Sequence, residues 1–236
     1  MYLSVIIPSF NGSHVLEKNL PYLLSGLNSI NKPYEVIVVD DGSQDGGGTE
    51  NIAKHFNCLF FRHDKNTGKG AAVKTGMLQA RGQFRIFTDV DIPFEFDSIL
   101  TFLSALEGGE CDVVVGDRNH PDSSYFHEVT LTRRIGSILF SGLVSALFFK
   151  NISDTQCGLK GFKSAVADEL FSLSRINRFS FDVEILYLAI LKGYKIRKFP
   201  VQLRCQESES VNVVRDGFEM LTSIARVKLR SMLGGY

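Results

Sequence analysis

Five short runs rich in β-branched residues, LSVIIP, YEVIVVDD, CLFFRH, FRIFTDVD and DVVVGDR, follow one another through the first half of the chain. Segments of helical periodicity separate them: His14 to Ile30, Gly48 to Phe56, Lys69 to Arg81 and Phe96 to Glu107. Short apolar runs bounded by Gly, Pro, Asn and Asp are strands. Strands that are apolar almost throughout are buried on both faces, and helices between them run consecutive strands parallel. The pattern requires an α/β fold with a mainly parallel central sheet flanked by helices on both faces. Such sheets bind ligands beyond the carboxyl ends of their strands. Chemistry is therefore expected at Pro8 to Asn11, Asp40 to Gly42, Asp89 to Asp91, and Gly116 to Arg118.

The second half reads differently. An apolar helix follows Arg133 and Arg134, then the turn-rich DTQCGLKGF, a helix around Phe181 to Leu191, the strand YKIRKFPVQLR, and a basic amphipathic end. No linker, repeat or low-complexity stretch divides the halves. Residues 1–236 read as a single domain with a nucleotide-type half to about residue 118 and an acceptor-type half from about residue 119. With 44% hydrophobic residues the chain can bury a real core, and 26 Lys+Arg against 26 Asp+Glu removes the electrostatic footprint of a general nucleic-acid binder. Any basic site is local, and no nucleic-acid partner is expected.

The four cysteines, Cys58, Cys111, Cys157 and Cys205, are scattered with no CxxC pair, which suits isolated thiols in a reducing compartment. MYLSVIIPSFNG lacks a basic flank and reaches Pro8 quickly, reading as a first strand and not a signal peptide, so a cytoplasmic location is expected. The nearly uncharged stretch Ile135 to Phe149 is shorter than the roughly 18 to 20 residues a spanning helix needs.

Three motifs carry candidate chemistry. Asp89 and Asp91 flank Val90 at a strand end, where crowded carboxylates favour a hard divalent ion, Mg²⁺ or Mn²⁺, with a diphosphate as co-ligand. An acidic strand-to-loop transition is the plainer alternative. VVDDGSQD closes a buried strand with Asp40 and Asp41 before Gly42; a carboxylate there can meet a base or ribose, or Asp41, Ser43 and Asp45 can simply make Asx turns and helix caps. NTGKGAAVKTG sets Lys69 between two glycines at a helix N-terminus, a place suited to phosphate. It is not a P-loop, and glycine for close packing beside a solvated lysine explains it equally well.

Together VIIPSFN, VVDDGSQD, NTGKGAAVKTG and TDVD resemble, in order and spacing, the family 2 inverting glycosyltransferases of the type A fold. GDRN, Arg133-Arg134, DTQCGLKGF, FSFDVEILYLAILKGYKI and FPVQLR look like the polyprenyl-phosphate branch, which includes dolichyl-phosphate mannose synthases and, closer in DTQCG, dolichyl-phosphate glucosyltransferases. The resemblance implies that Pro8, Ser9, Asn11 and Asp40 line a nucleoside pocket and that Asp89 and Asp91 hold the metal on a diphosphate. It implies phosphate contacts for Arg118, Arg133 or Arg134, and Arg204. Gly12 and Pro93 depart from the pattern, standing where relatives often have Glu and another polar ligand. Asp154 and Gln156 either read sugar hydroxyls or cap a turn, and Glu184 is a further candidate within a core-rich helix.

The implied reaction moves a hexose from a UDP- or GDP-sugar to a polyprenyl monophosphate, dolichyl or undecaprenyl, with inversion. A phosphate monoester is already an anion near neutrality and needs no base, whereas a sugar hydroxyl needs one, conventionally an aspartate. Extension of a glycan at a hydroxyl, or a non-catalytic nucleotide-binding scaffold, are the alternatives. The apolar stretch at 135–149 and the tail with Phe218, Leu221, Ile224 or Ala225, and Met232 beside Arg215, Arg226, Lys228 and Arg230 are candidates for peripheral contact with a membrane surface.

Overall fold

The computed structural model describes residues 1–124, 154–204 and 226–230. Its strands are β1 (Leu3–Ser9), β2 (Tyr34–Asp40), β3 (Leu59–Arg62), β4 (Phe84–Phe87), β5 (Val113–Asp117), β6 (Lys160–Lys163) and β7 (Ile196–Pro200). They form one seven-stranded sheet in the order β3-β2-β1-β4-β6-β5-β7. Every pairing is parallel except those of β6, which runs antiparallel to both β4 and β5.

The helices are α1 (Ser13–Ser29), α2 (Gly48–His55), α3 (Lys69–Gln79), α4 (Phe96–Glu107), α5 (Ser164–Leu173) and α6 (Phe181–Leu191). Side-chain alternation along the strands divides them into two layers. Val5, Ile7, Val36, Val38 and Val114 pack with Leu16 and Leu20 of α1, Ala53 of α2, and Ile99 and Phe102 of α4. Ile6, Ile37, Val39, Val113 and Val115 face Val73 and Met77 of α3, Leu170 of α5, and Leu186 of α6. At Gly76, α3 lies so close to β1 that a methyl group would overlap Ile6.

Most expected boundaries hold, α4 and α6 to the residue. α3 stops at Gln79 instead of Arg81 because Ala80 turns to extended backbone. Two elements correct the sequence reading. Lys160–Lys163, within the stretch read as turns, is the central strand β6, and Ser164–Leu173 is a helix. Four residues with a lysine at each end carry no alternation that local reasoning recognises. β6 draws a piece of the second half between two strands of the first, so both halves build one sheet.

The insertion also buries a cation. Lys160 is fully buried, lies 5.4 Å from the Phe87 ring centroid, and donates to the Cys157 carbonyl at 2.7 Å and to Asp182 Oδ1 of α6 at 2.6 Å. A buried ion pair is costly to break by removing one partner, yet often dispensable when both become apolar. Lys160→Met should therefore lower unfolding free energy by about 3 to 5 kcal/mol in urea titrations, and Lys160→Met with Asp182→Leu should restore most of it. Equal losses in the single and double variants would show that the pair is not what the site depends on.

Candidate functional site

β1 is bonded to β2 on one side and β4 on the other, so the strand order reverses around it, where open α/β sheets leave a crevice. Ser9 pairs with Asp40 across that edge. Pro8 and Ser9 are buried in the strand end, and the Ser9 hydroxyl makes no hydrogen bond. Asn11 takes a left-handed backbone (φ 50°), which asparagine tolerates. It ties this loop to the next: its N–H donates to Ser43 Oγ at 2.7 Å and its Oδ1 accepts from the Gln44 N–H at 2.8 Å.

Asp40 and Asp41 have separate tasks. Asp40 Oδ1 accepts from the Ser43 N–H at 3.1 Å and from the Ser43 hydroxyl, while its buried Oδ2 makes no hydrogen bond and lies 3.6 Å from Nε of the exposed Arg62. Asp41, expected in the pocket, instead clamps the next loop. It accepts from the Thr67 N–H (3.0 Å), the Thr67 hydroxyl (2.7 Å), His63 Nδ1 (2.7 Å) and the Gly68 N–H (2.7 Å). The carboxylate has no proton to give, so Nδ1 carries the imidazole's, and Nε2 meets the Thr75 hydroxyl at 2.9 Å. Gly42 serves the same clamp. At φ 74° its Cα faces the Lys65–Asn66 backbone, which any side chain would strike, so the close approach it permits is to this loop. Asp45 takes the capping alternative, accepting from the Thr49 N–H at 2.9 Å at the start of α2.

The clamped loop delivers α3. Gly68 (φ 111°) and Gly70 press against 176–181: a Cβ on Gly68 would overlap the Asn177 carbonyl, and one on Gly70 would come within 2.6 Å of Phe181 Cβ. Glu184 supports that segment from below by accepting from the Arg175 and Ile176 N–H groups at 2.8 and 2.7 Å. Lys69 opens α3 with its ammonium on Asp89 Oδ1. Burial disfavours the charged lysine, but Asp89, Asp182 and Asp91 outweigh it and hold its pKa above the ordinary value.

Asp89 is half-buried and Asp91 buried, joined by a turn in which the Ile92 N–H donates to the Asp89 carbonyl at 3.0 Å. Ile92 has φ 45°, a strained conformation for a β-branched residue. Second-half residues hold this turn. Gly158 lies so close to Asp89 Oδ2 that a Cβ would occupy the oxygen's place. Arg204, expected to meet phosphate, is instead directed at the turn's backbone. Its guanidinium reaches the Ile92 carbonyl at 3.3 Å and the Asp91 carbonyl at 3.5 Å, bonds Asn19 Oδ1 at 2.5 Å, and stacks 4.3 Å from the Tyr22 ring centroid.

Arg118 and Asp154, separate candidates by sequence, are one unit. Arg118 Nε and a terminal nitrogen fork onto the two Asp154 oxygens at 2.8 and 3.0 Å, and the Arg118 N–H adds a third bond at 3.0 Å. Burial would raise the Asp154 pKa, but Arg118 lowers it below the ordinary carboxylate value. The Gln156 N–H also bonds Asp154, at 3.2 Å, so Asp154 caps this turn. Cys157 behind it is a buried thiol whose pKa burial pushes up to about 12. Arg133, Arg134, Cys205 and the stretch 135–149 lie outside the described residues, as does the tail apart from 226–230, a helical stretch with Val227 buried and Leu229 exposed.

Sequence reasoning left the roles of Lys160, Gly158 and Thr67 unread inside the motifs that contain them and missed the Asn19–Tyr22 seat, while His63, one of five histidines without metal-ligand spacing and read as structural or exposed, is structural. A cavity of about 450 Å³ beside the clamped loop is lined by Arg62, His63, Asp64, Lys65, Thr67, Ala71 and Asn177.

Residues 4–171 match the family described as Glycosyl transferase family 2. The chain belongs to that family. Within it, this glycosyltransferase is 33% identical to a dolichyl-phosphate beta-glucosyltransferase of Dictyostelium discoideum, covering 99% of this chain and 76% of that protein. It is 30% identical to the human protein of the same name, over 99% and 77%. Among solved structures it resembles glucosyl-3-phosphoglycerate synthase of Mycobacterium tuberculosis in complex with Mn²⁺, UDP and glucosyl-3-phosphoglycerate, at a TM-score of 0.71 and 17% identity over 99% of this chain and 80% of that one. Mannosyl-3-phosphoglycerate synthase of Rubrobacter xylanophilus gives a TM-score of 0.67 at 16% identity, over 100% and 75%. The fold is that of the type A glycosyltransferases. Among the described residues, no helix is long and apolar enough to cross a membrane.

The Asp41 clamp makes a pH-dependent contribution to stability. Burial opposes ionisation, but the bonds from Thr67, His63 and Gly68 prevail and lower the folded pKa below 3.8. A depressed carboxylate contributes stability that is complete above the unfolded pKa and is lost as pH falls through the folded one. The urea midpoint of the wild type should thus fall more steeply below pH 3.8 than that of Asp41→Asn. Parallel curves for the two proteins would refute the assignment.

Proposed function

We propose that this glycosyltransferase moves glucose from UDP-glucose to a polyprenyl monophosphate of the dolichyl type, inverting the anomeric carbon, at the cytoplasmic face of a membrane. The observation that carries this reading is the pairing of three carboxylates near the crevice, apart from Asp40 and the Asp89–Asp91 turn. Asp154 is forked by Arg118, Asp182 is bonded to Lys160, and Asp117 lies 3.2 Å from Lys198. A carboxylate committed to a cation is a poor general base, and a hydroxyl acceptor requires one. A phosphate monoester does not, because its oxygen is already anionic. The dolichyl-phosphate beta-glucosyltransferases among the relatives support both the acceptor and the sugar.

Asp40 supports uracil as the base. Its Oδ1 is occupied by Ser43, leaving Oδ2 as the Asp40 oxygen short of a hydrogen bond, beside the Arg62 guanidinium. Uracil presents a single N–H between two carbonyl oxygens, which suits one carboxylate oxygen flanked by a donor. Guanine presents adjacent N–H donors that would engage both oxygens. UDP in the M. tuberculosis synthase agrees with this reading.

Asp89 and Asp91 fit a divalent metal by their chemistry: hard oxygen donors two residues apart on a braced turn, with Asp91 Oδ1 buried and short of a hydrogen bond. When bound, Mg²⁺ or Mn²⁺ supplies charge stabilisation for the leaving diphosphate. The protein's own part is to orient. Asp40 and the Ser9–Asn11 loop hold the nucleoside, Lys69 and the α3 N-terminus face the diphosphate, and Arg118 presents charge to the incoming phosphate while remaining on Asp154. Attack from the face opposite the leaving group is a single displacement and therefore inverts. Basic residues at 226–230 suit an anionic lipid surface.

The test is transfer of labelled sugar into organic solvent from UDP-glucose and from GDP-mannose, with a short polyprenyl phosphate and Mg²⁺ or Mn²⁺. UDP-glucose should be used and GDP-mannose refused. Asp91→Asn should cost about two to three decades in turnover, the value of one charge contact made in the transition state. Arg118→Ala should weaken use of the lipid phosphate while UDP binding persists. Transfer to a free sugar hydroxyl that ignores Arg118 would replace this reading with glycan extension.

A further inference from the structure

Lys69 is placed with little freedom at its Cα. Gly68 and Gly70 on either side touch the 176–181 segment so closely that neither tolerates a side chain, and the Ala71 N–H bonds the Asn177 carbonyl at 3.0 Å. From that fixed origin its ammonium lies on Asp89 Oδ1 and within the field of Asp182 and Asp91. Asp182 is already held by Lys160 on its other side. Three carboxylates, Asp89, Asp91 and Asp182, thus face two ammonium groups, Lys69 and Lys160, a net of one negative charge among these five side chains, with the Arg204 guanidinium turned to the backbone carbonyls of Asp91 and Ile92.

That balance has consequences for a divalent cation. Added alone, it would have to share Asp89 with an ammonium already bonded to it, and the cluster would change from one negative to one positive charge. Added with a diphosphate, it brings its own neutralising anion, and the same phosphate oxygens accept an ammonium. Lysine suits such an exchange, being a point charge on a flexible stem with three rotatable donors.

We propose that Lys69 is the resident counter-ion of Asp89 and trades that carboxylate for the donor's diphosphate, so that the metal binds tightly only together with the nucleotide. This rests on the reading above that Asp89 and Asp91 hold the metal. It assigns Lys69 a gating task in addition to any phosphate contact: it keeps the acidic turn charge-balanced while the crevice is open.

The experiment measures Mn²⁺ binding by the loss of the free-ion electron paramagnetic resonance signal, with and without UDP and with no sugar transfer involved. In the wild type UDP should tighten Mn²⁺ by about tenfold or more, and by reciprocity Mn²⁺ should tighten UDP by the same factor in calorimetry. Lys69→Met should bind Mn²⁺ alone about tenfold more tightly than the wild type, and the further gain from UDP should shrink to about twofold. Lys69→Arg, which keeps the charge, should behave as the wild type. Lys69→Gln repeats the charge removal with a polar side chain, and circular dichroism confirms the fold of each variant.

If Lys69→Met and Lys69→Gln bind Mn²⁺ alone no more tightly than the wild type, the exchange is overturned while the metal assignment stands. Absence of Mn²⁺ binding even with UDP, or binding undiminished in Asp91→Asn, overturns the metal assignment and the exchange with it. A gain in bare Mn²⁺ affinity seen equally in Lys69→Arg also overturns the exchange, since loosened packing and not charge would then explain it.

Discussion

The approach of Gly158 to Asp89 is the constraint on which the site depends. The turn from Asp89 to Ile92 carries a strained β-branched residue and two carboxylates, an arrangement that does not persist unaided. It is held because the 154–158 loop lies directly against Asp89, and because Arg204 lies over the backbone of Asp91 and Ile92. Both supports come from the second half of the chain. They reach the turn only because β6 enters the sheet between β4 and β5. A strand of four residues therefore decides whether the acidic turn has a floor.

A second principle organises the charges. Arg118 with Asp154, Lys160 with Asp182, and Arg85 with Asp168 are pairs in which a buried ionisable group has a partner of opposite type within hydrogen-bond reach. The arrangement confers specificity as much as stability. Lys160 and Arg85 are buried against their partners, whereas Arg118 stays partly open while Asp154 is occupied, which on the proposed reading suits phosphorylated reactants and disfavours deprotonation of a neutral one.

What the sequence revealed and what it concealed follow from the range of the interactions involved. The strand runs, the helices α4 and α6, and the clustering of Pro8 to Asn11, Asp40 and Asp89 to Asp91 at one edge were legible, because period and strand polarity are local properties. The periodicity of α5 was present too, in Val166, Ala167, Leu170 and Phe171, but lay unread behind a stretch dominated by turn residues. The roles of Asp41, Gly42 and Arg204 were not legible. Each depends on a partner distant in sequence: Thr67 and Gly68 for Asp41, the Lys65–Asn66 backbone for Gly42, and Asn19 for Arg204. Spacing identifies a polar residue at a strand end; it does not say whether that residue points to ligand or supports the loop that does.

The distinction matters for how the two halves work together. The Asp41 clamp fixes the loop that delivers α3, α3 presents Lys69 to Asp89, and Asp89 rests on Gly158. A chain of contacts thus runs from the nucleoside edge of the sheet, through the acidic turn, to the 154–158 loop beside Arg118. Displacement of Lys69 from Asp89 by an incoming diphosphate would change the charge facing that loop, and the Arg118–Asp154 fork lies at its start. On the proposed function, donor and acceptor phosphates repel each other across this short distance, and Lys69 and Arg118 supply the positive charge that lets both be held at once.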